Sequence, residues 1–515
     1  MSDSRYFWIA GLLFLILITG PYLYGFLTVD GDFLFNGFLL NPLDGNSYLA
    51  KIELGNTGFW KFSLPYTAEK SAGGYLFLFY LLLGHIGRVL GMENIIIFHT
   101  ARIVSSLAML VSLNFYFRSV VKDPKVQKWA FITSLFGSGM GWIAITFGYF
   151  TSDFWVAEIY PFLSAYTNPH FPLGLAILLM LLAPGGIKNH YLKALSSALL
   201  AVIQPFAAVI GITVTGVEFL VGYIKEIRSE NSVAWKRKEF LSLGSIVFGA
   251  GPVLVFQYLV IHKDPILNQW NGQNITPSPE PLDMILSLSP MLILAVPGSL
   301  KAWNDKRLSK MVIWAMTGLG LAIVPWQLQR RFLTGLFVPL SGLAVLGLRS
   351  LKLQRFGDKS LLILVLIIFS LPTNLIVILS GVDAISRNDN TIVYSADLEK
   401  VFEWVENNTS QNEIILTDER NGNLIPAYTG RRVLYGHPFE TVNSDRMKDI
   451  VQEFFAADTD PSRKLDIINN WHVDYILIES DMNQIRGIGQ LSRIQLHFEL
   501  DQYSVFEVID SGASD

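Results

Sequence analysis

The sequence contains no cysteine. That excludes disulfides, thiol catalysis and cysteine-ligated zinc or iron–sulfur centres, whatever the compartment. Charge is scarce too. Only 16% of the 515 residues are Asp, Glu, Lys or Arg, against about 25% in soluble proteins. With 51% apolar residues and a mean hydropathy of +0.40, a fully soluble enzyme, a disordered chain and a coiled coil are all excluded. No basic patch points to nucleic acid. The C-terminal part carries neither a GxGxxG nor a P-loop lysine motif, so nucleotide binding has no support.

What is present is length without charge. Apolar runs able to cross about 30 Å of hydrocarbon recur through the first 380 residues. The first is Tyr6 to Leu27, too long for a cleaved signal peptide. Others cover roughly 95–117, 129–150, 170–183, 240–260, 284–300, 310–326, 332–348 and 359–380. The stretch 194–223 is broken at Gln204-Pro205, and 73–90 reads as an interfacial or re-entrant segment. The expectation is about 11 crossings.

Charge then orients the chain. Residues 381–515 carry 11 basic and 24 acidic side chains, net −13, whereas residues 1–380 are net +9. Basic clusters lie at Arg118/Lys122/Lys125/Lys128, Lys188/Lys193, Lys225/Arg228/Lys236/Arg237/Lys238, Lys301/Lys306/Arg307/Lys310 and Arg349/Lys352/Arg355. The positive-inside rule makes these loops cytoplasmic. It places 28–72, 151–169, 261–283, 325–331 and everything from 381 outside, with the N-terminus inside. The expected domains are therefore a transmembrane part, 1–380, with a large outer loop at 28–72, and a soluble extracytoplasmic part, 381–515.

The tail reads as α/β. Leu398, Val401, Phe402 and Val405 share one helical face, and helical patterns also fill 441–457 and 461–471. Short strands are expected at 413–417, 432–435 and 473–478, with a strand pair in 496–509. Strands alternating with helices suggest a small, mostly parallel sheet.

Polar groups at the outer ends of membrane spans are the informative ones. In loop 28–72, Asp44 lies just ahead of a helical stretch carrying Tyr48. A carboxylate there suits deprotonation of a hydroxyl. It also suits a divalent cation, Mg or Mn, held with Asp30 or Asp32. Equally, Asp44 caps a helix beginning near Asn46. Loop 151–174 holds Glu158 and His170 at the membrane boundary, within an aromatic belt. Gln329, Arg330 and Arg331 sit on the outside, where positive charge is unexpected, and arginine matches phosphate bidentately. In the tail, Arg431, His437 and Glu440 are candidates for lining a cavity. Within the spans, His99 and Arg102 lie one turn apart, and Glu218 stands in 207–223.

The layout of a first span, a long outer loop with Asp44 and Tyr48, many further spans and an α/β tail resembles the GT-C superfamily of polytopic glycosyltransferases. Asn168-Pro-His170, Gln329-Arg-Arg331, Thr429-Gly-Arg-Arg432, Gly436-His437 and Glu440-Thr441 resemble its uncharacterised bacterial members. Many members carry adjacent acids where Asp44 is followed by Gly45, so Asp30 and Asp32 stay as rivals. The resemblance implies inverting transfer of a hexosyl or pentosyl unit from a polyprenyl-phosphate sugar to a glycan, lipid or protein acceptor. The site would lie on the outer face of the plasma or inner membrane. Asp44 would be the base, with Glu158 beside it as a second catalytic carboxylate. Gln329, Arg330 and Arg331 would hold the donor phosphate. Tyr48, His170, Arg431, His437 and Glu440 would line the acceptor cavity. A flippase of lipid-linked sugars and a membrane-anchored binding protein are the alternatives.

Overall fold

The computed structural model describes residues 5–228, 237–350, 359–479, 488–489 and 491–509. Lys236, Lys352 and Arg355 of the basic loops lie outside the described residues. The chain separates into two compact units. The first comprises residues 1–24, 99–256 and 275–384. The second comprises 25–98, 257–274 and 385–515.

Among the described residues, five helices are long and apolar enough to cross a membrane: Arg5–Thr28, Asn94–Val120, Pro205–Lys225, Lys238–Lys263 and Leu361–Ser386. Two bent helix pairs, Pro124–Phe136 with Gly141–Phe147 and Pro281–Leu288 with Met291–Ala302, bring the number to seven if each is one span. Five shorter apolar helices accompany them. One is Leu78–Leu90, whose 13 residues reach only about 20 Å at helical rise. At Gln204 the backbone leaves the helical region between His190–Ile203 and the helix starting at Pro205, because proline can supply no N–H to continue the ladder.

In the first unit, Met291–Ala302 and Phe337–Ser350 cross at backbone distance. A Cβ on Gly298 would stand 1.9 Å from the Leu343 carbonyl oxygen, and one on Gly347 2.1 Å from that of Leu294. Small residues at a crossing let apolar helices gain close packing where lipid offers no hydrophobic drive. Arg102, elsewhere in the same unit, is fully buried and does not snorkel. It donates to the carbonyls of Ile18 (2.8 Å) and Ala165 (2.9 Å) and lies 4.2 Å over the Tyr22 ring. Glu218 is paired with Lys310 at 2.5 Å.

All seven strands found among the described residues belong to the second unit. β1 (Phe33–Phe35) pairs antiparallel with β2 (Val393–Ser395), so the segment that follows the first helix is stitched to the start of the tail. The remaining strands are β3 (Ile414–Leu416), β4 (Arg432–Val433), β5 (Tyr475–Glu479), β6 (Ile494–Leu500) and β7 (Tyr503–Val508). They form one sheet in the order β4-β3-β5-β7-β6. β3 runs parallel to β4 and β5, while β7 is antiparallel to both β5 and β6. The sheet is mixed rather than mostly parallel because the last two strands form a hairpin, which must be antiparallel. Helices Ala396–Asn408, Ser444–Phe455 and Pro461–Trp471 fall where the apolar periodicity places them. One face buries Leu398, Val401, Phe402 and Val405 with Ile415 and Leu477. The other buries Leu416, Ile476 and Phe454.

Candidate functional site

The helix Pro42–Asn56 carries the site of the second unit. It starts at Pro42, whose missing N–H costs nothing at a first helical position, and not near Asn46. Asn41 precedes it in the left-handed region and makes no side-chain cap. Asp44 is thus inside the first turn rather than a cap. An anion there is favoured by the helix dipole. Residues 44, 48 and 51 follow helical spacing, which puts Asp44, Tyr48 and Lys51 on one stripe.

Two ties run from this stripe to the turn 437–441. Lys51 Nζ lies 2.8 Å from Glu440 Oε1, with the lysine side chain 2% exposed. His437 Nε2 lies 3.4 Å from Asp44 Oδ1, with the histidine 2% and the aspartate 49% exposed. Lys51 also faces the rings of Phe77 (4.7 Å) and Tyr48 (5.2 Å). Tyr48 stacks on Tyr80 at 4.5 Å. Tyr66 lies 5.7 Å from the His437 ring and donates to the Asn423 carbonyl. Burial, and then the Glu440 carboxylate, push the Tyr66 hydroxyl well above its ordinary range, so it stays protonated. Asn46 donates to Asn423 Oδ1 at 2.7 Å. The turn is anchored further by Gln273, which donates to the Thr441 carbonyl, and by Asn274, which donates to that of Phe439.

Arg431 is placed differently. It is buried, and its guanidinium donates to the carbonyls of Thr409, Thr429 and Glu406. It stitches the end of helix Ala396–Asn408 to the approach to β4 and does not face Asp44. Asp30 and Asp32 are exposed in the turn before β1, where the Asp32 carbonyl accepts from Ala396. Among the described residues, no three His, Asp or Glu side chains gather as a metal site, so Asp30, Asp32 and Asp44 do not form one.

The first unit gathers the other candidates. Arg331 lies 4.0 Å from Glu158, whose side chain is 7% exposed, and 5.6 Å over Phe206. Arg330 lies 4.7 Å over Trp155 and receives backbone support from the Thr276 carbonyl. Gln329 Oε1 accepts from the Ser278 N–H. The loop holding Glu158 is built on Asp153, a fully buried carboxylate accepting from Gly139, Gly141 and Thr151. Burial raises the Asp153 carboxyl's proton affinity, and the Thr151 hydroxyl and the backbone donors oppose that. His170 opens helix His170–Leu182 and packs against Phe171 at 4.0 Å. The sequence alone assigns no site role to Lys51, Tyr66, Asn423 or Trp155. Only Lys51 had a signal, its helical register with Asp44.

No protein-family profile and no curated protein matches the sequence. Solved structures do. The oligosaccharyltransferase of Archaeoglobus fulgidus in the apo form is 12% identical, with a TM-score of 0.53 over 92% of this chain and 69% of that one. The same archaeal enzyme, AglB, in complex with an inhibitory peptide and a dolichol-phosphate, gives 0.50 at 11% identity over 93% and 70%. ArnT from Cupriavidus metallidurans in the apo state is 12% identical, with 0.51 over 97% and 98%. The arabinofuranosyltransferase AftD from Mycobacteria is 12% identical, with 0.50 over 99% of this chain and 42% of that one. These neighbours are polytopic membrane glycosyltransferases of the GT-C superfamily, and the chain has their fold.

Proposed function

We propose that this protein is an integral membrane glycosyltransferase that moves a sugar from a polyprenyl-phosphate donor to an acceptor hydroxyl. The observation that carries the reading is Asp44, a half-exposed carboxylate in the first turn of its helix, with the buried His437 Nε2 3.4 Å from its Oδ1. A hydroxyl is a weak nucleophile, and a positioned base contributes about 10²–10⁴-fold. Asp44 takes the acceptor proton as the acceptor oxygen attacks the anomeric carbon. The bond from that carbon to the phosphate oxygen breaks, and polyprenyl phosphate leaves with the electron pair, inverting the centre. Arg330 and Arg331 receive the phosphate charge, and Glu158 sets the position of Arg331. The fold supports this, and so does the dolichol-phosphate named in the archaeal structure. The site is assigned to the outer face of the plasma or inner membrane, with the N-terminus cytoplasmic.

The test is release of polyprenyl phosphate from radiolabelled polyprenyl-phosphate sugars by protein in lipid nanodiscs. Asp44→Asn is expected to abolish release yet bind donor normally. Arg331→Ala is expected to weaken donor binding by about 10–100-fold, the worth of charge-assisted hydrogen bonds. Near-normal release by Asp44→Asn removes the base assignment. Tight donor binding with no release in wild type favours a transporter of lipid-linked sugars.

A further inference from the structure

His437 can be assigned more narrowly than a residue lining a cavity. Its Nδ1 accepts two backbone hydrogen bonds, from the N–H groups of Phe439 (3.1 Å) and Glu440 (3.2 Å). A neutral imidazole has one donor nitrogen and one acceptor nitrogen. Two N–H groups aimed at Nδ1 make it the acceptor and leave the proton on Nε2. That nitrogen is buried, makes no hydrogen bond within standard geometry, and faces Asp44 Oδ1 at 3.4 Å. The gap is slightly longer than a formed hydrogen bond, as is common for catalytic contacts before substrate binds.

We infer that His437 is a positioning residue that presents its Nε2–H to Asp44 and orients the carboxylate that takes the acceptor proton. The inference rests on the reading of Asp44 as base. It also removes two other roles. With Nε2 protonated and the Nδ1 lone pair committed to backbone, His437 is neither a second base nor a metal ligand. The turn that aims it is held from both sides. Thr441 Oγ1 accepts from the His437 N–H at 3.3 Å, and Thr441 N donates back to the His437 carbonyl at 3.0 Å. Lys51, two helical turns beyond Asp44, grips Glu440 of the same turn. The charged and titratable groups around the pair are Lys51, Glu440, Tyr48, Tyr66 and Tyr80.

Two amides separate the functions of the two ring nitrogens. In His437→Asn the side-chain oxygen replaces Nδ1 as acceptor for the turn, but no donor reaches Asp44. In His437→Gln the longer amide restores a donor at the Nε2 position and sacrifices the turn's acceptor. With full-length protein in nanodiscs and radiolabelled polyprenyl-phosphate sugar as the probe, a crossed pattern is expected. His437→Asn melts close to wild type but loses about 10–100-fold in kcat, the effect of one hydrogen bond to a charged group. Its KM for donor is unchanged, and the acid limb of kcat/KM moves to higher pH because the carboxylate has lost a donor. His437→Gln melts lower yet keeps kcat within a few-fold. Adding His437→Asn to Asp44→Asn costs nothing more. Equal losses of stability and turnover in both variants, with an unmoved acid limb, would reduce His437 to a structural residue and overturn the inference. Wild-type turnover in His437→Asn would overturn it as well. Substantial turnover in Asp44→Asn would instead defeat the base reading itself.

Discussion

Glu53 shows at the scale of one residue how burial is felt as pH dependence. Its carboxyl lies 5% exposed on the site helix, accepting from Asn94 at 2.5 Å and Asn56 at 3.3 Å. Desolvation raises its proton affinity more than the two amides lower it. The folded chain therefore binds this proton more tightly than the unfolded chain. The stability that gives is complete below the unfolded carboxyl's range and is lost as pH rises through the folded value. Glu53→Gln keeps an acceptor for Asn94 and removes the titration. It is expected to melt above wild type at pH 8, with the gap closing toward pH 4. A gap that is the same at both pH values, or a lower melting point at pH 8, would refute this. The stripe of Asp44, Tyr48 and Lys51 was within reach of sequence reading, because helical register is local. Its partners were not. Lys51 meets Glu440 across 389 residues of chain, and nothing in either segment alone announces the other.

At the scale of elements, the position of Asp44 depends on how closely its helix can approach the next. Pro42–Asn56 and Leu78–Leu90 cross with glycine against backbone on both sides. A Cβ on Gly55 would stand 2.1 Å from the Leu81 carbonyl oxygen, and one on Gly84 2.0 Å from that of Ile52. Backbone cannot swing aside as a side chain does, so a methyl here acts as a wedge. Overpacking costs about 1–3 kcal/mol, and Gly84→Ala is expected near the upper end. Turnover should fall with it, since the helix bearing Asp44 is displaced. Gly20→Ala is the control, its added methyl meeting nothing within 4 Å. If the two variants melt and turn over alike, the crossing does not set the site. The elements of the tail were legible because amphipathic helices and short β-branched runs carry their own period. Two features were not. The pairing of β1 with β2 joins segments far apart in sequence. The helix Glu419–Thr429 contains Pro426, which breaks the pattern by which helices are recognised.

For the whole molecule, the decisive quantity is the split of charge. Residues 1–380 are net +9 with their basic side chains between apolar segments, and residues 381–515 are net −13. The count of crossings was the part least legible. Apolar helices of 12 to 15 residues, such as Ser309–Ile323 and Phe337–Ser350, read as spans by composition, although their length falls short of about 30 Å of hydrocarbon. Charge does not depend on that count. Moving basic loops across a membrane is disfavoured, so they are expected on the cytoplasmic side, and the acidic tail on the other. The absence of cysteine makes this measurable without background. Lys306→Cys places one thiol in an exposed basic loop, and Ser462→Cys places one on the exposed start of helix Pro461–Trp471. A membrane-impermeant maleimide added to intact cells is expected to label Ser462→Cys at once and Lys306→Cys only after lysis. Labelling in the reverse order would put the tail, and Asp44's partner His437 with it, on the cytoplasmic face. The donor would then have to be a lipid-linked sugar presented from inside the cell.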